Sequence, residues 1–222
     1  MSDKQHLNVF IIGITGKIGS LLAQTLLEKG DTVRGLVRRA DQQTEMAARG
    51  IQTEIGELAS LPADQLATSF GSADVIVFSA GSNGGSREVT KAIDDDGVAR
   101  TIEAAGKAGV RRLILVSVLP ESWRERNLSE DEEYYFAAKK KADILLSRSD
   151  LDWIILRPSL LVDDPGVGTV SMGPAEFHGQ IAREDVAAAL AELLHEPRIG
   201  RQILELNEGS TSIREAVIAN IR

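Results

Sequence analysis

The chain has 222 residues, 43% of them hydrophobic, with a formal charge of -8 and no cysteine; it can bury a full core and still lies within the range of one domain. The missing thiols exclude disulfides, thiolate metal sites and cysteine nucleophiles, and an acidic balance with no long basic tract argues against a nucleic-acid surface. His6, His178 and His195 are too scattered to suggest a metal site, no window approaches the ~20 apolar residues of a membrane span, and "MSDKQHLNVF" carries no signal-peptide core, so the expectation is a cytoplasmic protein with small-molecule ligands, no membrane or nucleic-acid partner, and an oligomeric state that the sequence leaves open.

In chain order, "LNVFII" predicts a strand, "KIGSLLAQTLLEKG" a helix closed by Gly30, and "TVRGLVRR" a second strand. A turn-rich stretch leads to "ADVIVFSAG", the continuous apolar run of a strand buried on both faces. There follow a helix in "DDDGVARTIEAAGKAG", a strand in "VRRLILVSV", a helix in "EEYYFAAKKKADILLSRS" and a strand in "LDWIILRPS". "REDVAAALAELLHE" and "GRQILELNEG" supply a last helix and strand. This β-α-β rhythm predicts an α/β fold, a doubly wound parallel sheet forming a single domain over 1–222. A small C-terminal region, about 158–222, is left for the substrate side.

Between the first strand and helix stand Gly13, Gly16 and Gly19, spaced G-x-x-G-x-x-G. One glycine permits the tight turn, the next lets the backbone approach a pyrophosphate, and the third allows close helix–strand packing. The anion would rest on the unpaired N–H groups of the helix beginning near Lys17. A ligand-free tight turn is the competing reading of the same glycines. The second strand adds information: "GLVRRAD" sets Arg38 and Arg39 where a protein selecting NAD usually shows an acid, and an Arg there accommodates a 2'-phosphate. NADP is therefore the implied cofactor, with NAD less favoured. Two solvated arginines, with Asp41 as the acid, form the competing reading.

The stretches "GITGKIG", "LVRR", "VIVFSAG", "AGVRRLILVSV", "YFAAKKKADILLSRSDLDWIILRPSLL" and "IAREDVAAALAELL" together resemble the atypical short-chain dehydrogenase/reductases. Within them, the similarity is to small NAD(P)-binding oxidoreductases related to flavin and biliverdin reductases and to epimerase-like proteins. The resemblance implies a Rossmann fold with the cofactor across the carboxyl ends of the strands. It assigns Gly13, Thr15, Gly16, Lys17 and Ile18 to the phosphate loop, Arg38 and Arg39 to the 2'-phosphate, and Glu57 and Leu58 to the adenine turn. Ser79, Ala80 and Gly81 would lie beneath the adenine ribose. The loop from Pro158 to Pro174, irregular by its Gly and Pro content, would line the nicotinamide side, with Pro158 at the cofactor. Ser117, Tyr135 and Lys139 fill the catalytic positions.

Chemistry bears on that last group. A spacing of i, i+4 sets Tyr135 and Lys139 on one helical face, where the ammonium could stabilise a phenolate and bond a nicotinamide ribose. An unperturbed Tyr titrates near ~10, so a nearby cation is expected to bring it down, and Ser117 could then orient a substrate carbonyl. A core stripe "YYF" beside a solvated lysine face is the alternative. The chain departs from the family's full tetrad, showing "IDDDGVAR" where dehydrogenases carry an Asn on the central helix. His178 reads as a surface-loop residue, Trp153 as a core strand residue, and Trp123 as a surface, lid or partner contact. Two functions follow: an NADP(H)-dependent reductase of a small carbonyl, quinone or flavin-like acceptor, or an NADP(H)-binding redox sensor without turnover.

Overall fold

The computed structural model describes residues 6–82, 84–119 and 127–222; Trp123 lies outside them. Its elements are β1 (Asn8–Ile12), α1 (Lys17–Lys29), β2 (Thr32–Val37), α2 (Ala40–Ala48), β3 (Gln52–Ile55), α3 (Ala63–Phe70), β4 (Val75–Phe78), α4 (Arg87–Thr90), a π-helical turn (Lys91–Asp95), α5 (Asp96–Ala108), β5 (Arg112–Val116) and α6 (Glu130–Ser147). They continue with β6 (Asp152–Pro158), β7 (Leu160–Val162), β8 (Thr169–Gly173), β9 (Gln180–Ala182), α7 (Arg183–Leu194), β10 (Gln202–Glu208), β11 (Thr211–Ser212) and α8 (Ile213–Ile218).

Nine strands form one sheet in the order β11-β8-β10-β6-β5-β4-β1-β2-β3. From β3 to β10 every neighbour is parallel, and β8 closes the far side antiparallel to β10. A small parallel pair, β7 with β9, stands apart. The order reverses between β1 and β4, and at such a switch point a crevice opens outside the carboxyl ends of the strands. This is the doubly wound Rossmann architecture.

Because strand side chains alternate between faces, each apolar strand feeds two cores. Val9 and Ile11 of β1 join the core beneath α1, α7 and α8; Phe10 and Ile12 join the other, with Phe70 of α3, Ala104 of α5 and Leu146 of α6. Trp153 on β6 belongs to the second core, as its sequence setting predicts. Helix α6 begins at Ser129, whose hydroxyl accepts from the Glu132 N–H while the Glu132 carboxylate accepts from the Ser129 N–H, the reciprocal arrangement of a capping box.

Three stretches differ from the sequence reading. The turn-rich region holds α2, β3 and α3. The central helix starts earlier than its aspartate run, at Arg87 after the N-cap Ser86, and passes through the π turn before α5. The loop after Pro158 contains β7 and β8, so the far edge of the sheet is built from a segment expected to be irregular. No helix among the described residues is long and apolar enough to cross a membrane.

Candidate active site

A cleft runs across the carboxyl ends of β1, β2, β4 and β5, and its walls include the turn after β3, helix α6, Leu161 and Arg183. At its centre is the glycine turn. Gly13 has φ +89°, and a Cβ there would lie 2.5 Å from the Ala80 nitrogen; a Cβ at Gly19 would lie 2.2 Å from the Gly13 carbonyl oxygen. Both positions are therefore required by the protein's own backbone: Gly13 lets β1 pass the loop after β4, and Gly19 lets α1 pack onto the turn. Gly16 is different. Its φ is -76°, and a Cβ there would meet only the Gly13 oxygen, at 3.1 Å. Gly16 caps α1 without a side-chain bond. The N–H groups of Lys17, Ile18 and Gly19 have no acceptor among the described residues. Orphan helix N–H groups beside open backbone suit a phosphate oxygen.

At the end of β2, Gln42 accepts from the backbone N–H groups of Arg38 and Arg39, at 3.0 and 3.2 Å, which fixes where the two side chains depart. Arg38 lines the cleft with no acidic partner among the described residues. Arg39 does not reach it. Its guanidinium is held by Asp41 at 3.0 Å on the exposed surface, so the two side chains satisfy each other outside the cleft lining. Opposite Arg38, the Glu57–Leu58 turn is anchored by the Arg100 guanidinium, which donates to the Leu58 carbonyl. Ser79 donates to the Ile12 carbonyl and ties the loop after β4 to β1.

Ser117, Tyr135 and Lys139 line the same cleft. The Lys139 ammonium lies 5.8 Å from the Tyr135 ring centroid, and it is buried against Asp94, at 2.9 Å, a residue with no exposed surface. The other Asp94 oxygen accepts from the Ser82 N–H at 2.9 Å. One carboxylate thus joins the loop after β4 to the lysine. The π turn brings it there, an irregularity frequent at functional sites.

These contacts reverse one expectation. Burial pushes the Tyr135 phenol above its ordinary value; Lys139 pulls it down and Asp94 pushes it up. With the ammonium neutralised by Asp94, the desolvation cost of a phenolate wins. Burial works to lower Lys139, yet Tyr135, Asp94 and Asp143 together hold it above the ordinary lysine value. Tyr135 therefore keeps its proton throughout the neutral range. Behind them, Arg157 binds Asp143 through Nε and Nη2, at 3.0 and 2.8 Å. Burial drives the Asp143 carboxyl up against the pull of the Ser117 hydroxyl and Arg157. The Ser117 hydroxyl is buried beside Asp143 without forming a well-shaped hydrogen bond.

The structure brings together in one cleft Gly13, Thr15, Gly16, Lys17, Ile18, Arg38, Glu57, Leu58, Ser79, Ala80, Gly81, Ser117, Tyr135 and Lys139. It leaves out Arg39, for the reason given, and Pro158, which is buried in β6 opposite Leu206 of β10. His178 lies half-buried between β8 and β9, away from the lining. Asp94, Gln42, Arg100 and Arg183 were not anticipated. The aspartate run around Asp94 stands out in the sequence, but its helical register does not.

Residues 13–197 match the family model described as NAD(P)H-binding. A relative in Bacillus subtilis (strain 168), the "uncharacterized sugar epimerase YhfK", is 37% identical over 213 residues, spanning 95% of this chain and 99% of that one. A Bacillus halodurans structure, provisionally named an NAD-dependent epimerase/dehydratase, superposes with a TM-score of 0.86 at 31% identity, over 96% of this chain and 99% of its own. ChuY of Escherichia coli O157:H7, an anaerobillin reductase, superposes with a TM-score of 0.76 at 29% identity, over 92% and 98%. With its glycine turn, its switch-point cleft and a match over most of its length, the chain belongs to the NAD(P)H-binding family of Rossmann-fold proteins.

Proposed function

We propose that the protein is an NADP(H)-dependent reductase of a small carbonyl, quinone or flavin-like acceptor. The observation that carries this reading is Arg38, an arginine without an acidic partner at the end of β2, on the wall of the cleft. An acid there would bond a ribose 2'-hydroxyl; a free guanidinium suits a 2'-phosphate, which it can meet with paired, charge-assisted hydrogen bonds. Gly16 and the orphan N–H groups of α1 fit the diphosphate, and Lys139 fits the ribose beside the nicotinamide. When bound, the nicotinamide supplies hydride chemistry. The remaining work falls to the protein: Tyr135 holds a proton at its Oη, and Ser117 offers its hydroxyl to an acceptor oxygen. Relatives carry epimerase names, but sugar oxidation by this group would need a phenolate as base. A buried tyrosine raised above its ordinary value is present in the protonated form that reduction draws on, as a weaker acid than an ordinary phenol, and not in the phenolate form that oxidation needs.

The direct test is a fluorescence titration with NADPH and NADH. The wild-type chain should bind NADPH at least ~10-fold tighter, about 1.4 kcal/mol, and Arg38→Ala should remove that preference while leaving NADH affinity unchanged. Equal binding of both cofactors by the wild type would assign Arg38 to solvent. Tyr135→Phe should lower turnover about 10²-fold or more, within the range of acid–base catalysis, with NADPH affinity nearly intact. The wild-type pH profile should show no tyrosine-type loss below pH ~10, because the folded-state value is raised rather than lowered. Unchanged turnover in the variant would remove Tyr135 from the chemistry. Binding of NADPH without turnover of any acceptor, coupled to a partner interaction that differs between the oxidised and reduced cofactor, would favour the sensor instead.

A further inference from the structure

Helices α1 and α7 lie side by side and run in the same direction: Lys29 pairs with Glu192 near their C-terminal ends, at 2.6 Å, and their first residues, Lys17 and Arg183, meet at the cleft. Both cations line its wall. Between them sits one carboxylate. Asp163, just beyond β7, holds the Lys17 ammonium through Oδ2, at 2.5 Å, and the Arg183 guanidinium through Oδ1, at 2.6 Å. The following segment is fixed independently: the N–H groups of Gly166, Val167 and Gly168 donate to Glu184 and Asp185 of α7. The backbone is therefore strapped down, while the Asp163 side chain, 61% exposed, is free to turn away.

A carboxylate bridging two cations with one oxygen on each is the arrangement that the oxygens of a diphosphate can also make, with more charge and more acceptors. We infer that Lys17 and Arg183 form a single oxyanion subsite for the dinucleotide diphosphate, and that Asp163 is an internal competitor for it. This rests on the reading of the cleft as an NADP(H) site and adds to it a residue from the opposite end of the chain and a built-in brake on affinity. Lys17 follows Gly16 directly, next to the orphan N–H groups of α1, so the two cations extend that anion site across to α7. Arg38 lies at the end of β2, on the other side of the glycine turn, and is left for the 2'-phosphate. The two phosphate groups are thus served by separate arginines.

The assignment is tested by titrating the full chain with NADPH and with NADH in wild type, Asp163→Asn, Arg183→Gln and the double variant, with melting temperatures as the folding control and Arg183→Lys as the charge-preserving substitute. Asp163→Asn should tighten both cofactors by the same factor, about fivefold, since ion pairs made by an exposed carboxylate compete only modestly. Arg183→Gln should weaken both about tenfold, and in its background Asp163→Asn should gain clearly less, because the competitor acts partly through Arg183. If wild type binds but neither substitution alters affinity, the subsite is wrong while the cofactor reading stands. A response confined to NADPH would transfer the pair to the 2'-phosphate and overturn the diphosphate assignment. Failure of wild type and Asp163→Asn to bind either cofactor would remove both readings together.

Discussion

Asp94→Asn should lower the unfolding free energy by about 3–5 kcal/mol, the usual cost of stripping one partner from a buried ion pair. Asp94 has no exposed surface, Lys139 is nearly as deep, and Asp143, the other acid acting on the lysine, is already held by Arg157. Against a total stability of ~5–15 kcal/mol this is a large loss. It should be recovered in large part by Asp94→Leu with Lys139→Met, because removing both charges abolishes the desolvation cost as well as the attraction. The pH dependence separates the charge effect from a packing defect. In the wild type Lys139 is raised above its ordinary value, so its stabilisation is complete below pH ~10.4 and is lost as pH climbs through the folded value. In Asp94→Asn the uncompensated ammonium should fall below the ordinary value, and stability should instead rise as pH goes from 7 towards 10. Denaturant titrations at three pH values read the slope directly; the same slope in both proteins would mean that Asp94 does not hold the lysine's charge.

The second large effect separates two glycines that look alike in the sequence. Gly13→Ala should destabilise the fold by about 3 kcal/mol or more: a side chain at φ +89° is strained by ~1–3 kcal/mol, and its Cβ, 2.5 Å from the Ala80 nitrogen, must push back the loop that walls the cleft. Gly16→Ala should cost little in stability, since its φ of -76° suits any residue and one oxygen at 3.1 Å is its only near neighbour. It should nevertheless weaken NADP(H) binding at least tenfold, because the added methyl would stand where a phosphate approaches the backbone. Melting curves and cofactor titrations on the two variants give opposite patterns if this division holds. Were Gly16→Ala to bind NADPH as well as the wild type, the glycine turn would be a turn and nothing more.

Those two glycines also show how much of the site could be read from the residues. The glycine turn, Arg38, Ser117 and the Tyr135–Lys139 pair could be picked out as cleft residues because each rests on local spacing next to an apolar strand or within one helix. Elements with little apolar content were not. In β3, "QTEI", no side chain is fully buried, and α2 buries only Gln42 and Met46, so neither shows a clear period. Strand β8 is punctuated by Gly168 and Gly173, and its partner β10 lies more than thirty residues away, a pairing no local pattern reports. Arg39 looked equivalent to Arg38 until Asp41, two residues on, captured it. Asp94 and Arg183 act through contacts that only the folded chain creates.

The π turn also changes how related chains should be compared with this one. A turn with one residue more than an α-turn rotates everything before it by about 100° relative to everything after it, so the α-helical spacing of Val98, Thr101 and Ala105 cannot simply be extended back through the π turn that holds Asp94. A relative that lacks the extra residue would present a different position to Lys139 even if its aspartates aligned letter for letter. The informative difference between two such chains is then a gap of one residue, rather than a substitution, and an acid moved by that gap would leave its lysine to find another counter-charge.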